Sequence, residues 1–398
     1  MKSLKELYRI GHGPSSSHAM GPGIAAQYFK TRYPHALAFH ITLYASFAYT
    51  GKGHLTDTII QKTLAPTPTT FTFDKQTKTR HPNTFDILVQ LPDEAFTRRV
   101  ESIGGGAIKI YDEGLSDPVT MYPHTSFKAI EAYCDAHHLT LLQYIEQIEG
   151  PSLYPFLKTI WDQMQKTILK GIQTVGVLPG RLQVPRKAKT LYDAVMMDNT
   201  PEVHQNRLIA AYAFAVNEEN AAGGVVVTAP TCGAAGTMPA LLKYVADRDD
   251  VPEQIMLEAL AIGGLFGNLI KHNASISGAE AGCQAEVGSA CSMAAAAYAY
   301  VMKMNRKQIE YAAEVAMEHH LGLTCDPIEG YVQIPCIERN AMAALRAMDA
   351  AQLASVIADS RKISFDVVVE TMYQTGKDLH RKYRETSKGG LAIKYRVS

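Results

Sequence analysis

Strand-like alternation stops near residue 125, and that change of texture constrains the fold more than any other feature of the chain. Before it, Phe39–Tyr44, Thr70–Phe73 and Phe85–Leu91 alternate apolar with polar residues, the period of a half-buried strand. Gly104-Gly105-Gly106 predicts a tight turn into a further strand, Ile108–Tyr111, and Gly23–Lys30 and Thr56–Thr63 read as helices. After it, apolar residues recur with the 3.6-residue period of amphipathic helices. Such segments run over Ser126–His137, Leu141–Ile148, Tyr154–Val175, Asn206–Asn217, Pro252–Ile270, Glu280–Met304, Arg306–Met317 and Ala341–Tyr373. The expected architecture is an α+β N-terminal domain over residues 1–124, followed by a mainly all-α C-terminal domain over 125–398.

Charge narrows the function classes. Lys+Arg and Asp+Glu number 39 each, so no net field draws the chain to nucleic acid or to an anionic membrane. The N-terminal residues alternate in charge and lack the apolar core of a secretory signal. Ala221–Leu242 carries no charge and is long enough to span a bilayer, but it contains Pro230, Pro239, four glycines and three threonines. It reads as a buried or site-lining segment. The expectation is a soluble, cytoplasmic protein with neither a membrane nor a nucleic-acid partner.

Six cysteines in a chain of 398 residues do not form the pattern of a secreted disulfide scaffold, and five of them follow residue 230. Cys283 lies in Ser275-Ile276-Ser277-Gly278-Ala279-Glu280-Ala281-Gly282-Cys283-Gln284-Ala285-Glu286-Val287-Gly288. There Ser277 and Glu280 match a capping box, which would put Cys283 near the N-terminal end of a helix, where the macrodipole favours a thiolate. Cys325 and Cys336 bracket a proline-restricted stretch, Thr324 to Cys336, that reads as a loop between helices. Three thiolates on a four-iron cube leave one iron open, as catalysis at a metal requires. Spacing alone leaves structural cysteines or a zinc site open as well.

Chemistry also concentrates near the N-terminus. Gly11-His12-Gly13-Pro14-Ser15-Ser16-Ser17-His18 packs hydroxyls, imidazoles and a proline into a loop able to cradle a small anionic group through backbone N–H and hydroxyl donors; an ordinary serine N-cap reads the same way. Gly51-Lys52-Gly53-His54-Leu55-Thr56-Asp57 is a second glycine-punctuated loop with a histidine, and Asn220–Gly233 adds small hydroxyl and amide donors.

With these segments in view, the chain resembles the iron–sulfur L-serine dehydratase (L-serine ammonia-lyase) family. GPSSSH, GKGH-x-TD, AP-T-CG, SISGAE-x-GCQ-x-EVG and CDP-x-x-G…PC-x-x-RN occur in family order across roughly Ile10 to Leu345, with the C-terminal tail less informative. The resemblance implies a [4Fe–4S] cluster on Cys283, Cys325 and Cys336, no pyridoxal phosphate, and conversion of L-serine to pyruvate and ammonia. It implies His18 and His54 as proton-transfer or orienting residues, with Ser15, Ser16, Ser17, Asn273 and Ser277 binding substrate. It further implies oxygen sensitivity, a homodimer and a part in serine catabolism and gluconeogenesis. Ala19 stands where relatives carry threonine, which removes one hydroxyl from the loop.

Other readings fit parts of the pattern. A pyridoxal-phosphate dehydratase would use Lys271 as its Schiff-base lysine, leaving the cysteines unexplained. A redox carrier or sensor would use four cysteines and no serine–histidine loop. The same cluster acting on L-cysteine or L-threonine needs only a different side-chain pocket.

Overall fold

The computed structural model describes residues 1–113, 119–197 and 200–395. Its strands are β1 (Ile10–His12), β2 (Ala38–Tyr44), β3 (Thr69–Asp74), β4 (Thr84–Gln90), β5 (Ala95–Gly104), β6 (Ala107–Ile110) and β7 (Val225–Val227). The first helices are α1 (Gly21–Arg32), α2 (Ala45–Thr50) and α3 (Thr56–Leu64). Strands β2 to β6 form one sheet in the order β3-β2-β4-β5-β6, parallel only between β2 and β3. The chain crosses from β2 to the parallel β3 through helices, as a parallel pair requires. Phe39, Ile41 and Leu43 of β2 and Phe85, Ile87 and Val89 of β4 point to one face, where Ala25, Ala26 and Phe29 of α1 and Ile60 and Leu64 of α3 cover them. The period-2 pattern thus becomes a sheet with helices on one side.

From residue 127 the described chain is helical apart from β7 and the connecting loops, the longest of them between Gln173 and Ala188. In order come α4 (Phe127–His137), α5 (Leu141–Glu149), α6 (Leu153–Gln173), α7 (Ala188–Ala194), α8 (Pro201–Ala221), α9 (Thr237–Asp249) and α10 (Glu253–Asn273). Then follow α11 (Gly278–Ala281), α12 (Ser289–Val301), α13 (Arg306–Glu318), α14 (Cys336–Ile357), α15 (Phe365–Asp378) and α16 (Leu391–Lys394). Local chemistry starts several of them. Ser126 caps α4, and Thr140/Gln143 and Asn305/Gln308 form reciprocal capping boxes on α5 and α13, each satisfying otherwise orphaned N–H groups. The fold class is the one expected: a sheet-and-helix N-terminal region and a helical C-terminal region.

Two helices at the centre, α10 and α12, approach closely because glycines face the contact. A Cβ on Gly263 would come 2.7 Å from the Met293 carbonyl oxygen. Both α10 and the segment Cys336–Ser360 are long and apolar enough to cross a membrane, yet 78% and 50% of their apolar windows are buried inside the protein. Ala221–Leu242 is no single helix; it comprises the end of α8, strand β7, a turn and the first part of α9.

Three expectations need correction. The segment Glu280–Met304 is broken: α11 stops at Ala281, before Gly282, whose φ of +75° and lack of room for a Cβ beside the Leu323 carbonyl suit only glycine, and a π-helical turn, Gln284–Gly288, precedes α12. Ser277 and Glu280 form no capping box, because Ser275 takes the Glu280 carboxylate through its hydroxyl and accepts the Ser277 N–H. Cys336 is not in a loop but is the first residue of α14, which begins five residues earlier than the periodicity of Ala341–Tyr373 suggests and is separated from α15.

Candidate functional site

The N-terminal serine–histidine loop is carried into the helical region by a strand pair. β1 runs antiparallel to β7, with His12 opposite Val225. The loop then leans on the end of α8: Gly13 N–H donates to the Gly224 carbonyl (3.0 Å), His12 Nδ1 lies 2.8 Å from the Gly223 carbonyl, and Asn220 Nδ2 donates to the Pro14 carbonyl (2.9 Å). Gly13 is required by this approach, since a Cβ there would overlap the Asn220 side chain.

Beyond Pro14 the chain enters a π-helical turn over Ser16–Met20, capped by the Ser15 hydroxyl, which accepts the His18 N–H (3.1 Å). Such turns widen the helix and are frequent at functional sites. The Ser15 hydroxyl is thus committed to the turn. Ser16 and Ser17 have no side-chain hydrogen bond among the described residues. Ala19 is fully buried, and its N–H donates to the Ser15 carbonyl.

The structure brings His18 and His54 together. Their rings stack with centroids 4.5 Å apart at 27°. His18 Nε2 lies 2.9 Å from the Ser46 hydroxyl, and His54 Nδ1 lies 3.1 Å from the Thr50 carbonyl. The other nitrogen of each ring, His18 Nδ1 and His54 Nε2, is buried without a partner among the described residues. A carbonyl oxygen only accepts, so neutral His54 carries its proton on Nδ1 and presents a free lone pair at Nε2. Burial lowers both imidazole pKa values, and for His18 the neighbouring His54 lowers it further. Both rings are therefore neutral at pH 7. Leu55, next to His54, packs against Gly223, so the two histidine loops and the Asn220–Gly233 segment are contiguous.

That segment continues to the cysteines. Thr228 N–H donates to the Arg9 carbonyl and the Thr228 hydroxyl accepts the Arg9 N–H, Thr231 lies beside the Glu286 carboxyl, and Gly233 and Gly278 both face that carboxyl at distances a Cβ would crowd. Gly278 also faces Cys325 Sγ. Asn340, fully buried, ties the assembly together. Its amide donates to the Cys336 carbonyl (2.9 Å) and the Gly233 carbonyl (2.8 Å), and its oxygen accepts from the Thr237 hydroxyl (2.9 Å).

Cys283, Cys325 and Cys336 form one electrostatic group. Burial pushes the Cys283 thiol up to about 11, against the pull of the Arg339 guanidinium. Cys325 is raised by burial, then by Glu385, Cys283, Glu286 and Cys336; Cys336 is raised by burial, then by Cys283 and Glu286. Burial also raises the Glu286 and Glu385 carboxyls, and Glu286 raises Glu385 further. Neither Cys325 nor Cys336 has a thiol hydrogen bond among the described residues. By contrast, Cys134 and Cys291 point their thiols at the Thr140 and Ala343 carbonyls. Among the described residues no three His, Cys, Asp or Glu side chains converge tightly enough to hold a single metal ion.

Asn273 and Ser277 stand differently. The Asn273 amide is exposed and donates to the Thr125 and Leu269 carbonyls, so its donors are not turned toward the other candidates. Ser277 is half-buried beside Gly278.

Several partners escaped the sequence reading. Glu286, Arg339 and Asn340 lie within the quoted motifs, but nothing local marks them as neighbours of a thiol. Ser46 sits outside every motif. The C-terminal segment, less informative in sequence, returns to the site: Cys325 N–H donates to the Tyr383 carbonyl (2.8 Å), Glu385 N–H to the Cys325 carbonyl (2.9 Å), and Leu391 N–H to Asp326 (2.7 Å).

The model for the serine dehydratase beta chain matches residues 3–74 and that for the serine dehydratase alpha chain matches 131–392. An L-serine dehydratase of Haemophilus influenzae is 38% identical, L-serine dehydratase 1 of Escherichia coli 39% identical, each over 99% of both chains. An L-serine dehydratase of Streptomyces coelicolor is 38% identical over 98% of both.

Proposed function

The chain belongs to the serine dehydratase family, with the alpha-chain and beta-chain regions on one polypeptide, and we propose that it is an L-serine ammonia-lyase dependent on a [4Fe–4S] cluster. Activity on L-serine rests on full-length similarity to several L-serine dehydratases. The observation that carries the cluster is the set of three thiols, Cys283 and Cys325 buried and Cys336 half-buried, close enough that Cys283 and Cys336 raise the Cys325 thiol and Cys283 raises that of Cys336. Burial of this kind disfavours thiolates unless cationic iron faces them, and the residues present fit that group. A four-iron cube spreads its thiolates farther than one ion does, so the lack of a tight triad bears on mononuclear ions alone.

When bound, the cluster supplies a Lewis-acidic iron, free of a cysteine ligand, that eases departure of the β-hydroxyl. The protein's own groups do the rest. His54 Nε2, neutral and unpartnered, takes the Cα proton. His18 stacks on His54, fixes its plane and keeps water from its face. Ser16 and Ser17, with Thr231 and with Asn220 Oδ1, which is buried without a partner among the described residues, orient the carboxylate and amino group; Ser15 holds the turn, and Ser277 adds a donor at the cysteine side. Asn273 acts through the backbone of its segment. Loss of the Cα proton and of the hydroxyl as water gives aminoacrylate, which tautomerises to the imine and hydrolyses to pyruvate and ammonia.

On this reading residues 1–124 carry the substrate loops and 125–398 the cluster. The enzyme is cytoplasmic, oxygen-sensitive and homodimeric, uses no pyridoxal phosphate, and serves serine catabolism toward pyruvate and gluconeogenesis. The test is anaerobic purification with iron and sulfide analysis, and pyruvate release from L-serine before and after exposure to air. Full activity in an iron-free preparation overturns the cluster.

A further inference from the structure

A cavity of about 520 Å³ lies apart from the cysteines and the histidine pair, walled by the N-terminal segment, the β5–β6 hairpin and the end of α10. That volume is typical of small-molecule sites. Three cations line it, Lys2, Arg9 and Lys271, against the single carboxylate of Glu6. The carboxylate is taken by Arg9. The Lys271 ammonium has only a backbone partner, the Glu6 carbonyl at 2.8 Å. Arg9 Nη1 donates to the Gly106 carbonyl (2.9 Å), while its Nε is buried with no acceptor. The Lys2 ammonium has no partner among the described residues.

We propose that this cavity binds a compact dianion, a phosphomonoester or a dicarboxylate, between Lys2, Arg9 and Lys271. Partly buried like charges repel unless an anion lies between them. Burial and the Arg9 charge push the Lys271 ammonium down to about 8, the penalty a bound dianion relieves. An amino acid suits the site poorly, because its ammonium would face three cations with the one carboxylate already engaged. A nucleotide base would find no Phe, Tyr or Trp to stack on. The ligand would join the two halves of the fold. Arg9 is bonded through its backbone to Thr228, and Lys271 lies just ahead of the segment leading to Ser277 and Cys283.

The experiment is isothermal titration of the anaerobically purified full chain, without serine, using inorganic phosphate, glycerol 3-phosphate and malonate, each against chloride at equal ionic strength. Saturable one-to-one binding of at least one dianion is expected, and the tighter of the last two identifies the source. Lys271→Met and Lys2→Met should each weaken it about tenfold or more. Lys5→Met, whose ammonium bonds Ser152 outside the cavity, should leave it unchanged. Lys2 is only half-buried, so its variant keeps the test decisive if Lys271→Met fails to fold. No saturable binding of any of the three at millimolar concentration, or unaltered binding in both variants, overturns the proposal.

Discussion

The imidazole of His54 stacks on that of His18 with ring centroids 4.5 Å apart, and its Nδ1 is held by the Thr50 carbonyl while Nε2 is left without a partner. The hydrogen bond fixes the tautomer, and the stack fixes the plane. One lone pair is thereby aimed and kept dry, which is what a base for a weakly acidic C–H needs.

The pH profile of kcat/KM follows from that environment. Burial disfavours imidazolium, so His54 stays neutral below its ordinary pKa of about 6.5. Activity should persist at pH 6.5 and fall only as pH drops through the lowered value. His54→Gln should reduce kcat by roughly 10²–10⁴. An acid limb centred above 6.5, or near-normal kcat in the variant, would remove His54 as the base.

Cysteine variants separate ligands from packing. Cys325→Ala and Cys336→Ala should lose the cluster's visible absorbance and bound iron. Cys134→Ala and Cys291→Ala should retain both, at a stability cost on the order of 1 kcal/mol. Iron content per chain, measured anaerobically, decides; a full iron complement in Cys325→Ala would break the assignment.

Asn340→Ala removes the side-chain partner of the Gly233 carbonyl and of the Gly236 N–H in a dry interior, and leaves the Thr237 hydroxyl only its longer bond to the residue-340 carbonyl. Each unsatisfied group costs about 1–3 kcal/mol, so the urea midpoint should fall clearly and iron occupancy with it. Unchanged midpoint and occupancy would show that the link does not hold the cysteine segment.

Gly282→Ala places a Cβ at φ +75°, 2.7 Å from the Leu323 carbonyl oxygen. The strain is about 1–3 kcal/mol, and the carbonyl displaced is the one that accepts the Gln284 N–H. Reconstituted protein should bind less iron than Ala279→Gly, an exposed change nearby on α11. Equal iron in the two would argue against a rigid approach to Cys283.

Asp326→Ala should loosen the C-terminal segment, because Asp326 accepts the Leu391 N–H. Hydrogen exchange across Tyr383–Leu391 should accelerate while α10 remains protected. Unchanged exchange would mean that the Cys325 backbone bonds alone retain the segment.

Much of this was legible in order along the chain. The alternation of Phe39, Ile41 and Leu43 yielded β2, and the periodicity from residue 126 yielded the helices, because both periods express local backbone geometry against one apolar face. Motifs marked His18, His54 and the three cysteines. The break at Gly282 was not legible, since a positive φ and a crowding carbonyl leave no mark where Ala281 and Cys283 flank the glycine. The start of α14 was missed for a related reason: Pro335 and Cys336 look like loop residues until the helix is seen to begin on them.

Sequence by itself determined the sheet-then-helix order, the family and the set of candidate site residues. Tertiary structure alone decided which of them meet. Strand β1 pairing with β7 brings the serine–histidine loop beside Asn220, the hydroxyl of Ser46 reaches His18, and Glu385 comes back to Cys325. Backbone periods and turns depend on neighbours within a few residues. A buried contact depends on which surfaces exclude water together, and that is settled only when the whole chain has packed.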